Sequence, residues 1–200
     1  MTAQAESILD TFRQTGAYLS GHFRLTSGLH SPEYLQCALV LQHPSHAERL
    51  GARLADELSA VAASEKITVV VSPAMGGLII GHEVARALGA RFLFTERDAA
   101  SGKMILRRGF ALQPGEAVVV VEDVITTGGS TREVIDIVKA SGARAIAAGS
   151  IIDRSAGKAE VGASRVALAT LDVVSYQPED CPLCRQGLAV TKPGSRNPSP

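Results

Sequence analysis

The chain has 200 residues, 20 Lys plus Arg against 20 Asp plus Glu, 46% apolar residues and no Trp. That length suits one elaborated domain with a core of Val, Ile, Leu and Ala, which needs neither disulfides nor a structural metal to fold. A formal net charge of zero removes any global pull toward nucleic acid or an anionic membrane, so affinity for anions must come from local clusters.

The start, MTAQAESILDTF, lacks a basic stretch followed by an apolar run and predicts no secretory signal. No stretch reaches the roughly 18 apolar residues of a membrane span. Three cysteines, an odd number, do not suggest a disulfide framework, and the cytoplasm is the expected compartment.

In chain order, residues 4–15 predict a short amphipathic helix. Residues 17–25 alternate in character, and Ser20-Gly21 within them predicts a small hairpin. Residues 26–32 form a loop of Ser, Gly and His. Residues 46–61 predict a helix, with Leu50, Leu54, Leu58 and Val61 on one face. Strands follow at 67–71, 91–95, 118–121, within 143–152 and at 166–171. Helices are expected at 77–88, ending at Gly89, and at 130–140, ending near Gly142. Strands written as unbroken apolar runs and alternating with helices predict a parallel sheet with helices on both faces. From Gln177 the composition shifts: five of the nine prolines lie at or beyond Pro178, and 176–200 reads as a loose Pro/Gly-rich tail.

The most informative stretch runs from Val118 to Thr131, VVVVEDVITTGGST. A buried strand delivers the chain to the carboxyl edge of the sheet, where ligands of open α/β folds bind. Two carboxylates, Glu122 and Asp123, follow at once. Gly128 and Gly129 then let the backbone curl close to an anion at a helix start, and Thr126, Thr127, Ser130 and Thr131 add hydroxyls. Ser130 and Glu133 also fit a capping box. Adjacent carboxylates do not bind phosphate; they suit a sugar diol or Mg²⁺, so the string describes a ribose carrying a phosphate. No Gly-Lys-Ser/Thr follows, so the loop is not a Walker loop.

This string resembles the signature of the type I phosphoribosyltransferases, which bind phosphoribosyl diphosphate (PRPP), and Glu122–Ser130 resembles the orotate branch of that family. The resemblance covers roughly residues 5–155. It implies an α/β fold, a type I phosphoribosyltransferase-like parallel sheet flanked by helices, with a small N-terminal hood over about 1–40. It also implies transfer of ribose 5-phosphate from PRPP to orotate with Mg²⁺, in a homodimer with shared active sites.

Residue by residue, the resemblance carries PRPP binding to Glu122, Asp123, Val124, Ile125, Thr126, Thr127, Gly128, Gly129 and Ser130. It adds Ala74, Met75 and Gly76 of Ser72–Gly77, which is similar to a diphosphate loop that often carries a cis peptide. Segment 96–110, with Arg97, Lys103, Arg107 and Arg108 around Ala-Ala-Ser-Gly, matches a mobile basic flap able to close over diphosphate. Lys103 and Arg97 are its expected substrate contacts, and Lys103, Glu122 and Asp123 the expected catalytic group. Residues 23–34 resemble the base loop, with Tyr34 and Leu35 flanking the pyrimidine. Arg154 would meet the orotate carboxylate, and Thr126 the ring.

Three departures from the family pattern stand out: Thr26 and Gly76 replace lysines, and the basic part of the flap is short. Two other readings share the scaffold, a purine or xanthine phosphoribosyltransferase and a PRPP-sensing regulator that binds nucleic acid. The neutral charge speaks against the regulator. Cys181-Pro-Leu-Cys184 is a CxxC without a second CxxC or an HxxxH, and the five histidines show no ligand spacing, so free thiols are expected there and a buried Cys37. Four thiolates shared across a dimer axis are the alternative.

Overall fold

The computed structural model describes residues 7–25, 27–63 and 65–193. The first residues of the expected N-terminal helix, Thr26 and the end of the Pro-rich segment lie outside the described residues. The elements begin with α1 (Ile8–Gln14), β1 (Tyr18–Arg24), β2 (His30–Leu35), α2 (Cys37–Leu41) and α3 (Pro44–Val61). They continue with β3 (Val69–Pro73), α4 (Gly77–Leu88), β4 (Arg91–Arg97), β5 (Met104–Leu106) and β6 (Ala117–Ile125). The last are α5 (Gly129–Ala140), β7 (Arg144–Asp153), β8 (Ser164–Thr170) and α6 (Pro182–Arg185), with a 3₁₀ turn at Pro178–Asp180. The chain divides into two compact units, Leu41–Leu171 and the remainder at its two ends.

In the larger unit six strands lie in the order β5-β4-β3-β6-β7-β8. All neighbours are parallel except β5, which turns back antiparallel on β4. The valine runs of β3 and β6 explain their central place, because a strand covered on both faces must be apolar at every position. Val69, Val71, Val118 and Val120 pack with Val134, Ile135 and Val138 of α5. The alternate valines point to the opposite face, where α4 packs against both strands. On that face α3 buries Leu50, Leu54 and Leu58, and Gly149 of β7 admits Leu54 and Leu58 so closely that a Cβ there would meet them at 3.2 and 3.1 Å. Val61, expected on the buried stripe, is the last residue of α3 and is exposed.

The smaller unit corrects two sequence expectations. Ser20-Gly21 does not turn the chain. It falls where the register of β1 shifts, between Ser20 and Phe23, and β1 runs on to Arg24 before β2 pairs back antiparallel. A Ser-Gly pair serves a β-bulge as well as a turn. The segment after Leu171 is also not a loose tail as far as Pro193. Tyr176 and His30 exchange two backbone hydrogen bonds of 2.8 and 2.9 Å, and Thr191 bonds the His22 carbonyl and the Arg24 N–H, each at 2.8 Å. Proline-rich composition disfavours regular elements, but it does not forbid a chain from pairing with an existing strand edge.

Candidate active site

Within the larger unit the chain steps from β3 outward to β4 and from β6 outward to β7, in opposite directions. This leaves a crevice at the carboxyl ends of β3 and β6, the place where open α/β sheets receive ligands. The two loops picked out by the sequence, 74–76 and 126–128, leave these two strands. The Ala74–Met75 peptide is cis, as the diphosphate-loop resemblance implies. Met75 is exposed.

Glu122 and Asp123 are residues of β6 near its end, where successive side chains alternate across the sheet. Glu122 accepts a hydrogen bond from the Thr131 hydroxyl. Burial pushes its carboxyl up to about 7 against the opposing effect of that bond, and the Asp123 charge adds to the rise. Burial likewise raises Asp123, although the Val124 N–H donates to its Oδ1 at 2.9 Å. Two desolvated acids with no Lys or Arg among the causes of their shifts form a site that favours a partner able to supply hydroxyl donors or a cation.

Gly76 makes room for this pair. A Cβ at Gly76 would lie 2.5 Å from Asp123 Oδ1, so the position where the family pattern has a lysine is one where this chain tolerates no side chain without moving the acid. Gly128 is constrained twice: its φ is 76°, and a Cβ there would lie 2.7 Å from Val161 Cγ1.

Gly128 is also the N-cap of α5, with no side-chain cap. The expected Ser130–Glu133 capping box is therefore absent, because Glu133 is held elsewhere. It receives Arg97 at 3.2 Å and the Met104 N–H at 3.1 Å. The first N–H groups of α5 remain as anion donors at the positive end of the helix dipole. Thr126 and Thr127 are exposed and Ser130 half-buried, while Thr131 is buried on Glu122 and is not a phosphate donor. Ile125 is fully buried and its carbonyl accepts the Arg154 N–H at 2.8 Å, so its side chain offers a ligand nothing.

That bond places Arg154 beside the acidic loop. The neighbouring Asp153 is buried and held by Arg165 and by the Ser155 N–H and hydroxyl, at 2.7 and 2.6 Å for the latter two. The flap segment is the β4–β5 hairpin. Arg97 pairs with Glu133, and Arg108 binds Glu96 through two bonds of 2.8 Å. The acids that hold these two cations come from α5 and from β4 itself. Lys103 is exposed and makes no ion pair with the described residues. Tyr34 and Leu35 belong to the smaller unit, where Leu35 is buried and Tyr34 packs on Phe23 with ring centroids 5.8 Å apart. Leu35, expected to flank the pyrimidine, has its side chain in the core of that unit.

Sequence reasoning missed the Thr131–Glu122 bond, the service of Glu133 to the flap hairpin and the reason for Gly76. The β6-to-α5 spacing carried a signal for the first; nothing local carried the other two.

A phosphoribosyl transferase domain model matches residues 40–182. An orotate phosphoribosyltransferase of Pelotomaculum thermopropionicum is 57% identical over 191 residues, covering 96% of this chain and 97% of that protein. One of Thermotoga maritima is 49% identical over 189 residues, covering 94% and 98%. The solved orotate phosphoribosyltransferase of Aeropyrum pernix aligns with a TM-score of 0.66 at 26% identity, over 82% of this chain and 93% of its own. The chain belongs to the phosphoribosyltransferase family. Within it, relatives between 47% and 57% identity over nearly the whole chain are orotate phosphoribosyltransferases.

Proposed function

We infer that the chain transfers ribose 5-phosphate from PRPP to orotate, giving orotidine 5′-monophosphate and diphosphate in de novo pyrimidine synthesis. The observation that carries this is the half-buried Glu122–Asp123 pair running into the uncapped start of α5, in a chain so similar to orotate enzymes along its length. The α5 N-terminus binds the 5-phosphate, and the two acids take the ribose hydroxyls. Displacement at the anomeric carbon passes through an oxocarbenium-like state, and half-buried carboxylates beside the ring stabilise its developing charge. The loop of Ala74, Met75 and Gly76 receives the diphosphate. Arg154 pairs with the orotate carboxylate, and Thr126 bonds the ring.

The donor set fits Mg²⁺, since the adjacent Glu122 and Asp123 carboxylates are hard oxygen ligands with no Lys or Arg paired to them among the described residues. Asp123 would hold the ion together with substrate oxygens, and when bound it supplies neutralisation of the diphosphate. Orotate consumption followed by absorbance, with PRPP and Mg²⁺, tests the reading. Turnover should require all three, and turnover of a purine base in place of orotate would overturn it.

The enzyme acts in the cytoplasm as a homodimer in which each flap serves the neighbouring site. Lys103 supports this: it is exposed just before β5 of the hairpin, with no ion pair among the described residues. Mixing Lys103→Ala with Asp123→Ala protein should restore activity. Random exchange makes hybrids of about half the dimers, each with one intact site, so roughly a quarter of wild-type activity returns. No recovery after verified exchange would show that the flap acts within its own chain.

A further inference from the structure

Four side chains of the smaller unit converge without any part in the chemistry above. His22 comes from β1, His30 from β2, and Cys181 and Cys184 flank the first turn of α6. One nitrogen or sulfur from each lies within 4.8 Å of the other three, and His22, His30 and Cys181 are buried. His22 Nε2 is 2.9 Å from His30 Nδ1, 3.5 Å from Cys181 Sγ and 3.7 Å from Cys184 Sγ; Cys184 Sγ is 3.3 Å from His30 Nδ1.

These separations have a simple reference. With Zn–S near 2.3 Å and Zn–N near 2.05 Å, a tetrahedron has N···S edges of about 3.6 Å and an N···N edge of about 3.3 Å. The three nitrogen–sulfur distances straddle the first value, and the nitrogen pair lies slightly inside the second. Hydrogen bonding alone does not account for the cluster. The His22 Nδ1 stands 2.7 Å from the Leu188 carbonyl, which only accepts, so Nδ1 carries the proton and Nε2 presents a lone pair. That one lone pair faces an imidazole nitrogen and two sulfurs. A shared cation satisfies all four groups at once, and a carbonyl bond to the far nitrogen is the usual way a metal-binding imidazole is oriented.

We propose that His22, His30, Cys181 and Cys184 hold a tetrahedral zinc ion that fastens the 172–193 segment to the β1–β2 hairpin. Two thiolates and two neutral imidazoles form a closed Cys₂His₂ set, which leaves no open position and marks the site as structural. Binding releases the two thiol protons. The ion would link points 151 to 162 residues apart in sequence and act beside the backbone bonds that Tyr176 and Thr191 already make. The site is distinct from the Mg²⁺ position and does not depend on the proposed reaction.

The test uses the full chain. Purified without added metal and analysed by elemental mass spectrometry, it should carry about one zinc per chain. Cys181→Ser/Cys184→Ser should retain less than a tenth of that. Because these variants can misfold, the wild-type chain is also stripped by a chelator and refilled with Co²⁺ alone. It should then show intense tetrahedral absorption with a sulfur-to-cobalt charge-transfer band, and one equivalent of Zn²⁺ should erase the band. Four outcomes would overturn the proposal: a wild-type chain that takes up neither metal, a Cys181–Cys184 disulfide in the isolated protein, stoichiometric iron in place of zinc, or zinc retained in full by the double variant.

Discussion

Glu122 and Asp123 are neighbours in the chain, and a single strand-to-helix turn supplies most of what surrounds them, from Val124 to Thr131. His22, His30, Cys181 and Cys184 meet across as many as 162 residues, from two strands and the first turn of α6. Both groups are polar and partly withdrawn from water, the acids half-buried and three of the four His/Cys residues buried, so each needs compensation besides water. On the readings proposed above, a bound substrate, which leaves, would compensate the acidic loop, and a shared ion in a closed ligand set, with nowhere for substrate to enter, would compensate the His/Cys cluster. The difference in construction would then follow from the difference in duty. A catalytic pair on one strand end keeps its spacing as the surrounding loops move, whereas a fastener is useful only if it joins segments distant in the chain.

The sharpest way to break this comparison is to remove the contiguous pair. Glu122→Ala/Asp123→Ala should lower kcat/KM for PRPP by at least about 100-fold, the scale of losing preorganised electrostatic groups, with the circular-dichroism spectrum unchanged. Near-normal turnover in a folded double variant would show that the acids are only a solvated strand end.

A second variant asks whether the contiguous motif is as self-sufficient as it looks. Gly76→Lys restores the residue of the family pattern, yet its Cβ would sit 2.5 Å from Asp123 Oδ1. Displacing a catalytic carboxylate by an ångström costs on the order of 100-fold, so kcat/KM should fall by about that factor, and Gly76→Ala should fall similarly without any added charge. A rise in activity on adding the lysine would mean that lost charge, not space, is what Gly76 represents.

Arg154→Ala should be milder and one-sided. Loss of a charge-assisted hydrogen bond to a carboxylate, worth about 1.5–3 kcal/mol, raises the KM for orotate roughly 10- to 100-fold while that for PRPP stays near wild type. Equal changes in both would remove Arg154 from base recognition.

The same contrast explains what the sequence disclosed. That β3, β4, β6, β7 and β8 belong to a parallel sheet was readable because continuous apolar runs alternating with helices point to strands covered on both faces, though their order was not. The β6-to-α5 loop was readable because acids, glycines and a helix start occur in one stretch. The β4–β5 hairpin was hidden by its polar composition, and its acids lie partly on α5. Ser20-Gly21 fitted a bulge and a turn equally. The His/Cys cluster was invisible because spacing rules such as HxxxH describe ligands on one helix or one loop. Two histidines on paired strands obey strand register instead, with Arg24 opposite His30 and His22 just beyond.

The smallest expected effect concerns the cost of the buried acid itself. In the substrate-free protein burial raises Glu122 from 4.5 to about 7. Between these values the folded chain keeps a proton that the unfolded chain has released, so folding takes up protons and stability falls as pH rises through that window. Above about 7 both forms are ionised and the loss is complete; below about 4.5 both are protonated and none remains. Glu122→Gln imitates the protonated form at every pH and should not feel this loss. Its melting temperature should therefore exceed that of wild type by about 2–4 °C at pH 8 for each kcal/mol involved, with the difference shrinking toward pH 5. Parallel melting curves across that range would show that Glu122 keeps an ordinary carboxyl. A stabilised but impaired variant is what is expected when a desolvated acid is kept for substrate rather than for the fold.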